Sequence, residues 1–266
     1  MKPKLRFKEF SGDWEEQKLS KETYIKGRIG WKNLKAEEYT KTGPYLIAGK
    51  HIKNGIINWE SCDHISNERY EESIEIALKI NDIIISKDGT LGNPALITEL
   101  HDKATINGTM MLLRMNEKQD RVNSKYFYHI LNSQYFSKFL KTLKSGGTVP
   151  HIFQRDIINF KFPITSIPEQ TKIADFLSTV DDKIQNQQNK ITHLENIKKG
   201  FMQKIFSMKI RFKDDNGKEF PKWKEKKLGD ISICLDNKRI PISSSERKKG
   251  LIPYYGANGI QDYVED

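Results

Sequence analysis

Four short stretches carry side chains whose chemistry suits a polyanion. Lys50-His51-Ile52-Lys53-Asn54 sets two lysines, an imidazole and an amide beside Gly55. Lys87-Asp88-Gly89-Thr90 sets a cation, a carboxylate and a hydroxyl around a glycine. Lys144-Ser145-Gly146-Gly147-Thr148, with His151 close behind, makes a third such tip, and Lys26-Gly27-Arg28, near Trp31, a fourth. Ammonium and guanidinium groups neutralise phosphates, amides and forked donors read base edges, and glycine lets backbone approach a phosphate closely. Each stretch alone is also what a solvated turn looks like. Taken together they make contact with duplex DNA the expectation, without assigning bases.

Bond-breaking chemistry has thinner support. The six histidines are scattered, with no H-E-x-x-H or C-x-x-C spacing for zinc. No G-x-x-x-x-G-K-[ST] loop is present for ATP, and no G-x-G-x-x-G for a dinucleotide. Asn93-Pro94-Ala95 lacks the aromatic of an N-P-P-Y-like methyltransferase tetrad. Asp82, Asp88 and Lys87 would suit a metal-dependent nuclease only with a third carboxylate and ordered strand spacing, and neither is evident. Asp181-Asp182 reads as the solvated face of a helix.

The elements that must hold those loops follow from patterning. Pro44 to Trp59 reads as short strands with an Asn-Gly hairpin at Lys53-Asn54-Gly55. Asn81 to Ser86 is a turn and a buried strand, Ala95–Thr98 and Met110–Met115 are further strands, and Trp14 to Leu19 is a strand or turn leading in. Ser124 to Lys144 has helical apolar spacing and ends at Ser145-Gly146-Gly147. Short strands, glycine turns and a helix or two predict a mixed α+β domain over residues 1–165.

Residues 166–207 are different in kind. Pro168-Glu169 suits the first turn of a helix: proline has no amide to leave unpaired, and the carboxylate meets the positive end of the dipole. Ile173, Leu177, Val180, Ile184, Gln187, Ile191, Leu194, Lys198, Phe201 and Ile205 then alternate steps of four and three. That 3.5-residue period favours a helix lying along another helix, the alternative being a long amphipathic helix packed on its own domain, and Ile173 to Ile205 would run roughly 50 Å. Gln187 and Lys198 interrupt an apolar seam and can fix its register.

Charge follows the same division. Of 266 residues, 30% are charged and the net charge is +10, with an excess of +6 in 1–165, +1 in 166–207 and +3 in 208–266. A basic head on a nearly neutral stalk suits a polyanion partner. Cys62 and Cys234 lie in no metal or redox motif, which fits free thiols in a reducing compartment. MKPKLRFKEF has no apolar core of a signal peptide, and no apolar run reaches membrane-spanning length, so a soluble cytoplasmic protein without membrane contact is expected.

An internal repeat links the two ends. Arg6-Phe7-Lys8, Gly12 and Trp14 with Leu19 five on recur as Arg211-Phe212-Lys213, Gly217 and Trp223 with Leu228 five on. Pro44-Tyr45, Gly49 and Gly55-Ile56 recur as Pro253-Tyr254, Gly256 and Gly259-Ile260. The chain stops at Asp266, some 56 residues into the second copy. Residues 208–266 are therefore expected to be an incomplete second domain, from a truncated, phase-broken or half-length chain.

The Pro168-Glu169-Gln170 start followed by Ile173, Ala174, Leu177, Asp181 and Ile184 resembles the central conserved helix of the specificity (S) subunit of type I restriction–modification systems. The Gly43-Pro44-Tyr45 lead-in, the Asp82–Ser86 strand with Gly89 and Gly92, the late helix, and Gly146-Gly147-Thr148 with Pro150 resemble that family's target recognition domain. The resemblance implies a non-catalytic subunit that reads half of a bipartite DNA target and docks methyltransferase (modification) subunits. It further implies that S-adenosylmethionine, ATP and magnesium chemistry sit on the modification and restriction subunits, and that this chain binds no cofactor. With one complete copy, two chains are expected to pair as a homodimer through the seam. A coiled-coil interaction protein without specific DNA binding, a metal-dependent nuclease and the recognition part of another restriction class are the alternatives.

Overall fold

In the computed structural model, residues 3–19, 23–29, 34–115, 121–143, 151–235, 238 and 241–265 are described. The chain divides into two compact units, Met1–Leu194 and Glu195–Asp266. Two unbroken apolar runs, Ile83-Ile84-Ile85 and Met110-Met111-Leu112-Leu113, become central strands of the first unit with both faces covered. Ile83, Ile85, Met111 and Leu113 face a core rich in phenylalanine. Ile84, Met110 and Leu112 face a second core with Ile47, Trp59, Ile76 and Ile106. A two-residue period buried on both sides is why these strands read as continuous apolar runs.

In chain order the first unit has β1 (Glu15–Lys18), β2 (Tyr24–Gly27), β3 (Thr40–Ile47), β4 (Ile52–Lys53), β5 (Ile56–Ile57) and β6 (Asp63–His64). Then come α1 (Asn67–Glu71), β7 (Ile83–Ser86), β8 (Gly92–Leu96), β9 (Ala104–Ile106), β10 (Met110–Arg114), α2 (Ser124–Leu131), α3 (Gln134–Leu143), α4 (Gln154–Ile157), β11 (Lys161–Ile164) and the start of α5 (Ile167–Phe206), whose residues from Glu195 on fall in the second unit. An antiparallel sheet runs β2-β10-β7-β8, and a mixed sheet runs β6-β3-β9, with β3 and β9 parallel. The α+β expectation holds.

One predicted element is divided. The helix expected over Ser124 to Lys144 breaks at Asn132-Ser133 into α2 and α3. Asn132 Nδ2 donates to Tyr128 O at 3.0 Å, which its own amide also reaches, and Ser133 Oγ donates to Ile130 O at 2.7 Å, a carbonyl the helix would have used.

The start of α5 is fastened to the domain by its Glu-Gln pair. Glu169, 1% exposed, accepts from Arg6 Nε and Nη2, both at 2.7 Å, from Trp14 Nε1 at 3.2 Å, and from Thr165 Oγ1. Burial opposes its ionisation, yet the bonds from Arg6, Thr165 and Trp14 outweigh that and hold its pKa below the ordinary carboxylate value. Gln170 donates to Arg121 O at 2.9 Å and Thr165 O at 2.6 Å, and accepts from Asn123 N at 2.9 Å. Ala174 is buried and Ile173 packs on the phenylalanine core. Beyond this footing the seam is open: Val180 is 39% exposed, Ile184 62%, Ile191 49%, Leu194 53% and Phe201 54%. Gln187 and Lys198 are exposed too, while Leu177 and Ile205 are half-buried.

The second unit holds an antiparallel hairpin of β12 (Lys249–Gly256) and β13 (Gly259–Val264). Among its described residues only Val264 is buried.

Candidate nucleic-acid interface

Gly27, the Lys87–Thr90 loop and His151 meet in the first unit. Gly27 ends β2, and its backbone lies so close to Lys87 that a β-carbon there would sit 3.5 Å from Lys87 Nζ. The loop after β7 is tied to the segment before α4: Ile152 N donates to Lys87 O at 2.9 Å, Asp88 and His151 form a backbone bridge, and the His151 ring contacts the Asp88 carboxylate. Gly27, Lys87, the Asp88–His151 pair, and exposed Gly89 and Thr90 are thereby brought together, while Lys26 lies over the Tyr24 ring at 5.8 Å, on the other face of β2.

Sequence reasoning missed what completes this surface. Phe153, 45% exposed, lies 4.2 Å from the His151 ring, and the Arg155 guanidinium stacks over it at 4.7 Å. Gln154 reaches back to Ile25 O, and an open groove is lined by Thr23, Ile25, Gln154, Arg155 and Ile158. A guanidinium on an exposed aromatic near a lysine can both neutralise phosphate and stack on a base. The readable signal was an apolar residue followed by glutamine and arginine immediately after a histidine tip.

The Lys50–Asn54 stretch is only partly available. Asn54 (φ 53°) and Gly55 (φ 77°) make the predicted turn between β4 and β5, leaving Lys53 and Asn54 exposed at its tip. Gly55 must be glycine on a second count, because a β-carbon there would fall 2.0 Å from Tyr128 Oη. Lys50 is exposed but ion-paired with Asp63 at 2.8 Å.

Two expected contact residues are corrected. Arg28 is 5% exposed; it donates to Ile106 O at 3.1 Å, Ser73 Oγ at 3.0 Å and Thr105 Oγ1 at 3.4 Å, and burial lowers its pKa. His51 is 3% exposed; its Nδ1 accepts from Ala48 N at 3.0 Å and burial lowers its pKa. A side chain turned into the domain cannot reach a groove. Lys144, Ser145, Gly146, Gly147 and Thr148, like Trp31, lie outside the described residues.

The carboxylates considered for a nuclease have other partners. Asp82, 1% exposed, takes Arg114 Nε at 2.6 Å and Nη2 at 2.7 Å as well as Lys79 N at 2.7 Å. Among the described residues no cluster of three His, Cys, Asp or Glu could hold a metal ion. Cys62 is buried, its thiol pushed up to about 11 by that burial. Among the described residues no helix is long and apolar enough to cross a membrane.

Known proteins place this architecture. The chain is 26% identical over 213 residues to the type I restriction enzyme MjaVIII specificity subunit of Methanocaldococcus jannaschii, covering 78% of this chain and 49% of that one. It is 26% identical over 199 residues to the EcoR124I/EcoR124II specificity subunit of Escherichia coli, covering 67% and 46%. The chain thus spans about half the length of these curated relatives. In fold it is similar to the crystal structure of the type I restriction–modification S subunit from M. genitalium, with TM-score 0.57 and 19% identity, over all of this chain and 65% of that one. The profile of the family described as the type I restriction modification DNA specificity domain matches residues 13–196. On that match, covering most of the α+β domain and much of α5, the chain belongs to the type I restriction–modification specificity family.

Proposed function

We propose that this chain is a non-catalytic DNA recognition subunit of a type I restriction–modification enzyme, reading one half of a bipartite target. Residues 1–165 would be the reader, 166–207 the spacer and docking helix, and 208–266 the start of a second reader. The observation that carries this is the convergence of Lys87, the Asp88–His151 pair and Arg155 on one side of the domain, with Phe153 among them. The open seam of α5 supports pairing with a second long helix, which in two copies of this chain would give a two-fold symmetric target. Methyltransferase and restriction subunits would supply the S-adenosylmethionine, ATP and magnesium chemistry, in the cytoplasm.

Co-expression with a methyltransferase subunit tests this directly. Expected are a stable complex, methylated adenines mapping to one sequence, and duplex affinity that falls steeply with salt. Salt-insensitive or absent duplex binding by that complex would instead leave a helix-pairing protein. Light scattering on the chain alone tests the pairing, which a strict monomer at micromolar concentration refutes.

A further inference from the structure

Several loops leave the first unit at one end of its strands. Gly27 ends β2 opposite Met111, Ser86 ends β7 opposite Met110, and Ile47 ends β3 beside Ile106 of β9. The short turn Asn107-Gly108-Thr109 joins β9 to β10 at that same end. It lies between two of the cation-bearing loops. Lys87 N donates to Thr109 O at 2.9 Å on one side. On the other, Asn107 N donates at 2.9 Å to Ile47 O, two residues before Gly49-Lys50. A β-carbon on Gly49 would fall 2.9 Å from Ser86 Oγ, so those two loops are themselves neighbours.

The polar groups of Asn107 are nearly all paired within the domain. Its carbonyl accepts from Met110 N at 3.3 Å, and its Oδ1 accepts from Thr109 N at 3.0 Å and Thr109 Oγ1 at 2.8 Å. A backbone N–H can only donate, so the atom facing Thr109 N is the oxygen. Turning the amide over would set donor against donor. Both accepting positions of that oxygen are filled from within the turn. What is left is Nδ2, which no described residue takes and which is open to solvent. With Asn107 half-buried and Thr109 exposed, the turn presents a hydrogen-bond donor of fixed identity at the end of the domain.

We propose that Asn107 is a specificity-determining residue of the DNA interface, its Nδ2 donating to an acceptor on a base edge, with Thr109 as the residue that positions it. This rests on the DNA-recognition reading above. An asparagine that presents oxygen and nitrogen together pairs with N6 and N7 of adenine. Asn107 cannot, because its oxygen is engaged in the turn. In the major groove a donor alone selects purine N7, guanine O6 or thymine O4, and it finds no acceptor on cytosine, whose edge offers an amino group. Lys87 beside the turn supplies charge for phosphate, which carries no sequence information. A purely structural Asn107 needs Oδ1 alone, and aspartate supplies that equally well.

The test uses the chain in complex with a methyltransferase subunit and measures duplex affinity over targets in which each half-site position is varied in turn. Asn107→Ala should lower base discrimination at one position roughly tenfold and leave the other positions as they were. Asn107→Asp still accepts from Thr109, so its melting temperature should hold, while the outward donor becomes an acceptor. Cytosine, rejected at that position by the wild type, should then be accepted there. The added charge repels phosphate at every sequence alike and cancels in the ratio. Thr109→Val frees the amide to turn over and should relax the same position without lowering the melting temperature. Unchanged base preference in all three variants, or a loss of affinity equal across all sequences, overturns the proposal while leaving DNA recognition by the chain intact. Absence of duplex binding by the wild-type complex overturns the recognition reading and this inference with it.

Discussion

Asp82→Asn separates a structural carboxylate from a catalytic one. Asp82 accepts two hydrogen bonds from Arg114 and one from Lys79 N while 1% exposed. Asparagine keeps the shape, but its NH₂ must face a donor, either guanidinium or amide. Removing one partner of a buried ion pair costs about 3–5 kcal/mol. Arg114 is 23% exposed on its side chain, keeps its bond to Ala77 O at 2.8 Å, and lies 5.4 Å from the Tyr24 ring, so it can rehydrate in part. The cost should therefore sit near or below the low end, about 2–3 kcal/mol. For a protein of this size that is a fall in melting temperature of roughly 5–10 °C. Thermal unfolding followed by circular dichroism reads it, and adding Arg114→Met should recover part of the loss, since replacing both charges is far cheaper than stranding one. An unchanged melting temperature together with loss of a metal-dependent DNA cleavage present in the wild type would refute the structural role.

Other perturbations reach different parts of the fold. Lys87→Ala should lower the salt slope of duplex binding by about one in a titration series, with Arg155→Ala also weakening binding. Gly55→Ala should destabilise the domain by about 2 kcal/mol or more in urea unfolding, from a φ of 77° and collision with Tyr128 Oη; adding Tyr128→Phe should relieve the collision and leave the backbone strain. His129 is half-buried between α2 and α5, with Ser178 Oγ at 3.2 Å and Asp181 at 3.9 Å; burial lowers its pKa and Asp181 only partly offsets that. Between its folded value and the ordinary 6.5 the unfolded chain binds the extra proton, so stability is full above that range and falls as the pH drops through it, by at most about 1.4 kcal/mol per pH unit. His129→Gln should flatten part of that fall in melts taken from pH 7 to pH 5, with buried His51 accounting for more of it.

The strands with apolar runs, the Asn54-Gly55 turn and α5 were legible because each is specified by neighbours in the sequence: a two-residue alternation, a dipeptide with positive φ, a 3.5-residue period. The parallel pairing of β3 with β9 was not, since Tyr45 meets Ala104 across a long separation that no local pattern encodes. Arg28 misled for a related reason. Lys-Gly-Arg reads as a basic turn, yet Ser73, Thr105 and Ile106, from distant segments, assemble a polar socket that draws the guanidinium inward. Phe153 and Arg155 escaped because an exposed aromatic carries meaning only beside the cations that tertiary structure brings to it.

The buckle formed by Arg6, Trp14 and Glu169 joins positions 163 residues apart at its ends. On the ribosome, at about 5–20 residues per second, the leading stretch of the nascent polypeptide waits roughly 8–30 s for its mate to be made. Pairing of Glu15 with Ile164 is subject to the same delay. The first unit therefore cannot shut during translation until the first turn of the rod has left the exit tunnel, and a product terminated before Glu169 would keep its amino-terminal arm unfastened.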